Sequence, residues 1–171
     1  MAASKVTPSD MKEVRIGMLG CGFMGKCHTH AFKTIPYIYP EARIMPRFVM
    51  ICARNAERVQ REAARFGYDE WCTDWHDMVA DDRVQLLDNC GPDPAHPEPC
   101  IAALERGKHV ICEKPLAISV EDARRMRDAA AKASTKAACV FNYRFLPAVR
   151  FAKDLIADGK IGTVYQMRIH Y

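Results

Sequence analysis

Short β-rich runs alternate with longer helical stripes along nearly all of this 171-residue sequence. That alternation limits the possible folds more than any other feature. Residues 14–19 (VRIGML) are an apolar run closed by Gly20, the pattern of a buried strand. Met24, Cys27, Ala31, Phe32 and Ile35 then recur at helical spacing, and Pro36 is expected to stop that helix. Residues 37–46 read as irregular, with Pro40 and Pro46. Residues 48–52 read as a second strand, followed by a helix with Ala56, Val59, Ala63 and Phe66 on one face and Gly67 as its C-cap. Four more strands are expected at 70–72, 84–89, 109–112 and 137–141. The helices between them start at Asp74, carry the stripe Cys100, Ile101 and Leu104, and open on the capping box from Ser119 to Asp122. A last helix begins near Pro147 and stops at Gly159. Six strands in β-α-β alternation predict an α/β fold: a doubly wound parallel sheet with helices on both faces. Ligands of such sheets bind at the carboxyl ends of the strands, where the strand order reverses.

Composition narrows the partners. The 25 basic and 21 acidic residues are spread along the chain, and the net charge of +4 includes no basic block of the kind that tracks nucleic acid. No apolar run approaches the ~20 residues of a membrane helix. Residues 1–12 are polar, read as a flexible N-terminus, and carry no secretory signal. Eight cysteines lie mostly in apolar runs, none at C-x-x-C spacing. They read as buried thiols in a reducing, cytoplasmic setting rather than as disulfides. Cys27, His28 and His30 form a C-H-x-H cluster without a second ligand set, so no metal is expected.

Three motifs carry chemistry. The first is residues 20–25, Gly20, Cys21, Gly22, Phe23, Met24 and Gly25, a G-x-G-x-x-G between a strand and a helix. Gly20 permits the tight turn, Gly22 lets backbone approach a pyrophosphate, and Gly25 lets the helix pack closely. The helix start supplies N–H groups and partial positive charge to phosphates. The second motif ends the second strand. Where an acid would bind the ribose hydroxyls of NAD, this sequence has Ala53, followed by Arg54. The missing carboxylate leans toward NADP or dual use, with Arg54 either pairing with a 2′-phosphate or stacking on the adenine. The third is Glu113, Lys114 and Pro115, which puts a partly buried lysine at a strand's carboxyl end, suited to proton exchange with a substrate.

The runs at 20–25 (GCGFMG), 107–117 (GKHVICEKPLA), 142–145 (NYRF) with Pro147, and 159–164 (GKIGTV) together resemble the glucose–fructose oxidoreductase, inositol dehydrogenase and MocA family. The resemblance covers the chain from about Val14 onward. It implies a Rossmann domain binding NAD or NADP, and hydride transfer between nicotinamide and a secondary alcohol of a sugar or polyol. It places Lys114 beside nicotinamide and substrate, with Glu113, His96 and the turn of Cys90, Gly91 and Pro92 lining the cofactor cleft and Arg144 at its edge. It also implies a second α/β domain that supplies the substrate pocket and a homo-oligomer interface. On this reading residues 1–12 are the flexible N-terminus, 13–160 the Rossmann domain, and 161–171 the first strand of a truncated second domain, so the chain alone is expected to be inactive. The rival readings are a non-catalytic dinucleotide-binding module or inactive fragment, and a methyltransferase using S-adenosylmethionine. The last shares the glycine turn but leaves Glu113, Lys114 and Pro115 unexplained.

Overall fold

A computed structural model describes residues 11–170. Six strands form one parallel sheet: β1 (Lys12–Leu19), β2 (Ile44–Cys52), β3 (Glu70–Cys72), β4 (Leu86–Asn89), β5 (His109–Cys112) and β6 (Ala137–Cys139). Their order is β3-β2-β1-β4-β5-β6, so the winding reverses between β1 and β4. The helices are α1 (Phe23–Ile38), α2 (Ala56–Phe66), α3 (Trp75–Ala80), α4 (Pro97–Glu105), α5 (Val120–Lys132) and α6 (Pro147–Ala157).

Two cores flank the sheet. Ile16, Met18, Phe48 and Ile51 pack with Val59 and Ala63 of α2 and with Phe32 of α1. Leu19, Val49, Met50 and Leu87 pack on the other face with Met78 of α3, Cys100 and Leu104 of α4 and Met126 of α5. Phe48 and Ile51 are three apart, which simple alternation would send to opposite faces. A register shift reconciles them: Ile16 pairs with Phe48 but Gly17 with Met50, leaving Val49 as the extra residue of a bulge.

The caps expected at Asp74 and Ser119 form: each side chain accepts an N–H of the first helical turn. Gly67 ends α2 with φ +73°. Two prolines behave differently from expectation. Pro36 does not stop α1, which runs to Ile38. Near the helix end, proline forfeits little beyond the one bond its own N–H would make. Pro46 lies inside β2, opposite Val14. β3 pairs only with Met50, Ile51 and Cys52, so β2 has an open edge at Pro46, where a missing N–H costs no ladder bond.

The chain divides into two compact units after Cys139. The second unit holds a 3-10 turn (Asn142–Phe145) and α6. The strand expected over 163–171 is not formed among residues 163–170, which make no ladder pairing. Alternation can mark a strand, but only a neighbouring strand's hydrogen bonds make one. Of the expected N-terminal tail, only Met11 and Lys12 are described, and Lys12 already opens β1.

Candidate dinucleotide site

The β1–α1 turn is built by its three glycines. Gly20 adopts φ +102°, and a Cβ there would come within 2.5 Å of the Cys90 carbonyl oxygen. A Cβ on Gly25 would overlap the Gly20 carbonyl. These two glycines let the turn, α1 and the loop after β4 close on one another. Gly22 differs, because a Cβ there would meet nothing within 4 Å. It is the N-cap of α1, where no side chain caps the helix and no acid occupies the first turn. Bare backbone at a helix start, facing open space, fits a pyrophosphate. Cys21 is buried with its side chain in the core, so it offers backbone alone, and its carbonyl accepts from Arg58 Nη2 at 3.3 Å. Phe23 is exposed and Met24 half-buried. Thr29 Oγ1 donates to the Gly25 carbonyl at 2.7 Å and lies 2.8 Å from the Tyr68 hydroxyl, which braces the turn from beneath.

At the end of β2, the Ala53 N–H donates to the Cys72 carbonyl at 3.2 Å, and Arg54 is exposed. Asn55 accepts from the Arg58 N–H at 2.8 Å and so caps α2. No carboxylate stands at 53–55; Arg54 is exposed at this corner, and the Arg58 guanidinium reaches the glycine turn from α2.

The loops after β4 and β5 form the opposite side. Buried Asn89 accepts from the Gly91 N–H at 3.0 Å and donates to the Ala95 carbonyl at 3.0 Å, which shapes the Cys90, Gly91, Pro92 turn. The Glu113 N–H donates to the Asn89 carbonyl at 2.9 Å. Lys114 follows, joined to Pro115 by a cis peptide bond. It is exposed, contrary to the expected partial burial, because it has already passed the end of the sheet. His96, expected to line the cleft, is 0% exposed. Its ring nitrogens lie 2.8 Å from the Pro115 carbonyl oxygen and 3.1 Å from that of Gly91, so it ties the two loops together. Arg144 belongs to the second unit, exposed on its 3-10 turn.

One group escaped sequence reasoning. His28, on α1, lies between two acids: Nδ1 is 2.8 Å from Asp88 Oδ2, and Nε2 is 3.0 Å from Glu113 Oε1. Cys90 Sγ is 3.2 Å from Nδ1. Burial alone would lower the His28 pKa, but its bonds and attraction to Asp88 and Glu113 outweigh that and hold it above the usual histidine value. Burial likewise pushes the Asp88 carboxyl up. Donor atoms of His28, Asp88 and Cys90 lie within 4.8 Å of one another. Bond lengths of about 2.0–2.2 Å in a tetrahedral zinc site put a nitrogen and an oxygen ligand roughly 3.3 Å apart. The 2.8 Å separation is instead that of a hydrogen bond. The partners of His28 lie 60 and 85 residues away, and no local spacing announces them.

Comparison with known proteins gives this geometry a context. The oxidoreductase family with an NAD-binding Rossmann fold, Gfo/Idh/MocA, matches residues 14–141. Levoglucosan dehydrogenase of Pseudarthrobacter phenanthrenivorans is 37% identical over 161 residues, spanning 94% of this chain and 41% of that protein. A solved levoglucosan dehydrogenase in complex with NADH and levoglucosan superposes with a TM-score of 0.85 at 38% identity, over 88% of this chain and 41% of that one. An oxidoreductase domain protein from Kribbella flavida does so with a TM-score of 0.84 at 43% identity, over 90% and 42%. The chain thus spans about two fifths of the length of these relatives. No described helix is long and apolar enough to cross a membrane.

Proposed function

We propose, since this chain belongs to the Gfo/Idh/MocA oxidoreductase family, that it supplies the cofactor half of a sugar or polyol dehydrogenase. The observation that carries this is the open backbone at Gly22, at the start of α1 and beside the point where the sheet reverses. Gly20, Gly22 and Gly25 with the first turn of α1 hold the pyrophosphate, and Ala53 and Arg54 face the adenosine end. The turn of Cys90, Gly91 and Pro92 and the loop of Glu113 and Lys114 form the nicotinamide end, with His96 keeping them in register. Nicotinamide, when bound, accepts or returns the hydride of a secondary alcohol carbon.

Lys114 exchanges the hydroxyl proton, or hydrogen-bonds the group that does, from an exposed side chain at the end of β5. Its backbone is held in place, since its N–H donates to Glu113 Oε2 at 3.0 Å. The substrate class follows from the relatives' activities and from that exposed amine. Arg54 supports use of NADP beside NAD. The residues after 160 belong to a second α/β domain, and the whole protein is a homo-oligomer, as the family resemblance implies. Eight cysteines, most of them in apolar runs, support a reducing, cytoplasmic setting.

Titration with NADH and NADPH, followed by turnover on a polyol panel, tests the reading. These residues are expected to bind the dinucleotide and, spanning about two fifths of the relatives' length, to turn over little, because a hydride donor must be held at about 3–3.5 Å. Absence of dinucleotide binding by the folded chain would overturn the assignment. Robust turnover abolished by Lys114→Ala would show instead that these residues already complete the pocket.

A further inference from the structure

We infer that His28 is a positioning residue: held as an imidazolium between Asp88 and Glu113, it locks the helix that carries the pyrophosphate turn to the loop that carries Lys114. The inference rests on the dinucleotide reading above. The chain of contacts is continuous. Gly22 and Gly25 begin α1, and His28 lies one and a half turns further along it. Its Nδ1 meets Asp88 of β4 at 2.8 and 3.1 Å, and its Nε2 meets Glu113 Oε1 at 3.0 Å. The other Glu113 oxygen, Oε2, accepts the Lys114 N–H at 3.0 Å. One imidazole therefore joins the phosphate helix, the strand at the switch point and the lysine loop.

Proton counting makes the charge state matter. A neutral imidazole has one N–H, yet a carboxylate faces each ring nitrogen. With both acids ionised and no second proton on the ring, one nitrogen lone pair would face a carboxylate oxygen about 3 Å away, with Asp88 and Glu113 0% and 5% exposed. Buried like-charged or lone-pair contacts of this kind are costly, and the loop is the part free to move away.

The titratable groups facing His28 are Asp88 from β4, Cys90 just after it and Glu113 after β5. Asp88 raises the Tyr68 phenol, in the turn after α2, and Cys27 raises the Cys90 thiol. Burial raises the Cys90 thiol and the Tyr68 phenol above their ordinary values, so both stay neutral where the imidazole titrates. Of the groups that touch His28, the imidazole–carboxylate pair is thus the one whose charge changes as the pH rises past the ordinary histidine value. The bound pyrophosphate favours the protonated form through its own negative charge, so cofactor binding and His28 protonation help one another.

The test is NADH affinity of the full chain, by calorimetry at pH 6.5 and 9.0, with His28 ring titration followed by NMR. Wild type is expected to lose affinity several-fold between the two values, the sign being set by a His28 proton that is held more tightly when the pyrophosphate is bound. His28→Gln is neutral and reaches one carboxylate, so it should bind weakly at both values with no pH slope. Glu113→Gln is the decisive companion. Its amide can donate to the free Nε2 of a neutral His28 while its oxygen still accepts the Lys114 N–H, so the alkaline fall should disappear. A wild-type affinity that does not change with pH, or a slope that survives in both variants, would overturn the role of His28. No NADH binding by folded wild type at either pH would overturn the dinucleotide reading, and this inference with it.

Discussion

The two units of the chain carry similar apolar patterns and treat them in opposite ways. In the first, Ile16, Met18, Met78 and Leu87 are fully buried between sheet and helices. In the second, Phe145, Phe151, Tyr165 and Ile169 are between 65 and 94% exposed, and no residue from 141 to 170 is buried. The amphipathic helix α6 forms a hollow with Met167, lined by Ala148, Val149, Ala152 and Ile156, and leaves it open. Patterning thus specifies which face is apolar, whereas burial needs a second surface to meet it. The first unit contains both surfaces, and its site sits at the carboxyl ends of the strands, where the winding reverses between β1 and β4. The second, taken by itself, has an apolar face that its own residues leave open.

The largest expected effect tests that contrast directly. Leu87→Ala should cost about 2–5 kcal/mol of stability, through lost burial and the cavity left behind. Phe151→Ala should stay within about 0.5 kcal/mol, as for a surface position. Urea denaturation followed by far-UV circular dichroism suits the measurement, because helices of both units contribute to the signal. Equal losses would mean that the second unit is packed after all.

Cofactor choice is expected to be a property of the first unit alone. Arg54→Ala should weaken NADP binding by about 1.5–3 kcal/mol, the range of a charge-assisted contact, and leave NAD nearly unchanged. Lys153→Ala, an exposed charge of α6, should change neither. Equal losses for both cofactors in Arg54→Ala would indicate stacking on the adenine.

Stability of the first unit should also depend on pH. Folding raises the His28 pKa above its value of 6.5 and raises that of Asp88. Each folded group binds its proton more tightly than the unfolded one, so stability falls as pH rises between the two values. For His28 the loss begins near the unfolded value and is complete above the folded one. Wild type is therefore expected to melt earlier at pH 9 than at pH 6, and His28→Gln should lose much of that difference. The smallest effect concerns caps. Asn55→Ala should cost about 1 kcal/mol by freeing an N–H of α2. Leu146, which gives α6 no side-chain cap, should accept Ala with almost no loss.

Much of the first unit was legible because its determinants are local. Gly67, Asp74 and Ser119 act on backbone within a few residues, and the glycines at 20, 22 and 25 need only a strand before them and a helix after them. Membership of the Gfo/Idh/MocA family follows from the same local runs. What could not be read depends on distant partners. The bulge at Val49 exists because β1 and β2 must share a register. His96 became a buried tie because Gly91 and Pro115, far apart in sequence, converge on it. His28 looked like part of a C-H-x-H cluster, and its chemistry came from Asp88 and Glu113. Pro36 and Pro46 were read by rule, but a helix end and an open sheet edge tolerate them.

The central claim is that the first unit binds a dinucleotide across the bare backbone at Gly22, and Gly22→Val tests it most directly. No atom lies within 4 Å of a Cβ there, so the variant should keep its fold, with a loss of roughly 1 kcal/mol for the poorer helix cap. Its isopropyl group would occupy the space the pyrophosphate needs. Calorimetric titration with NADH is expected to show binding by wild type and none by folded Gly22→Val. Equal affinity in the two proteins would contradict the account.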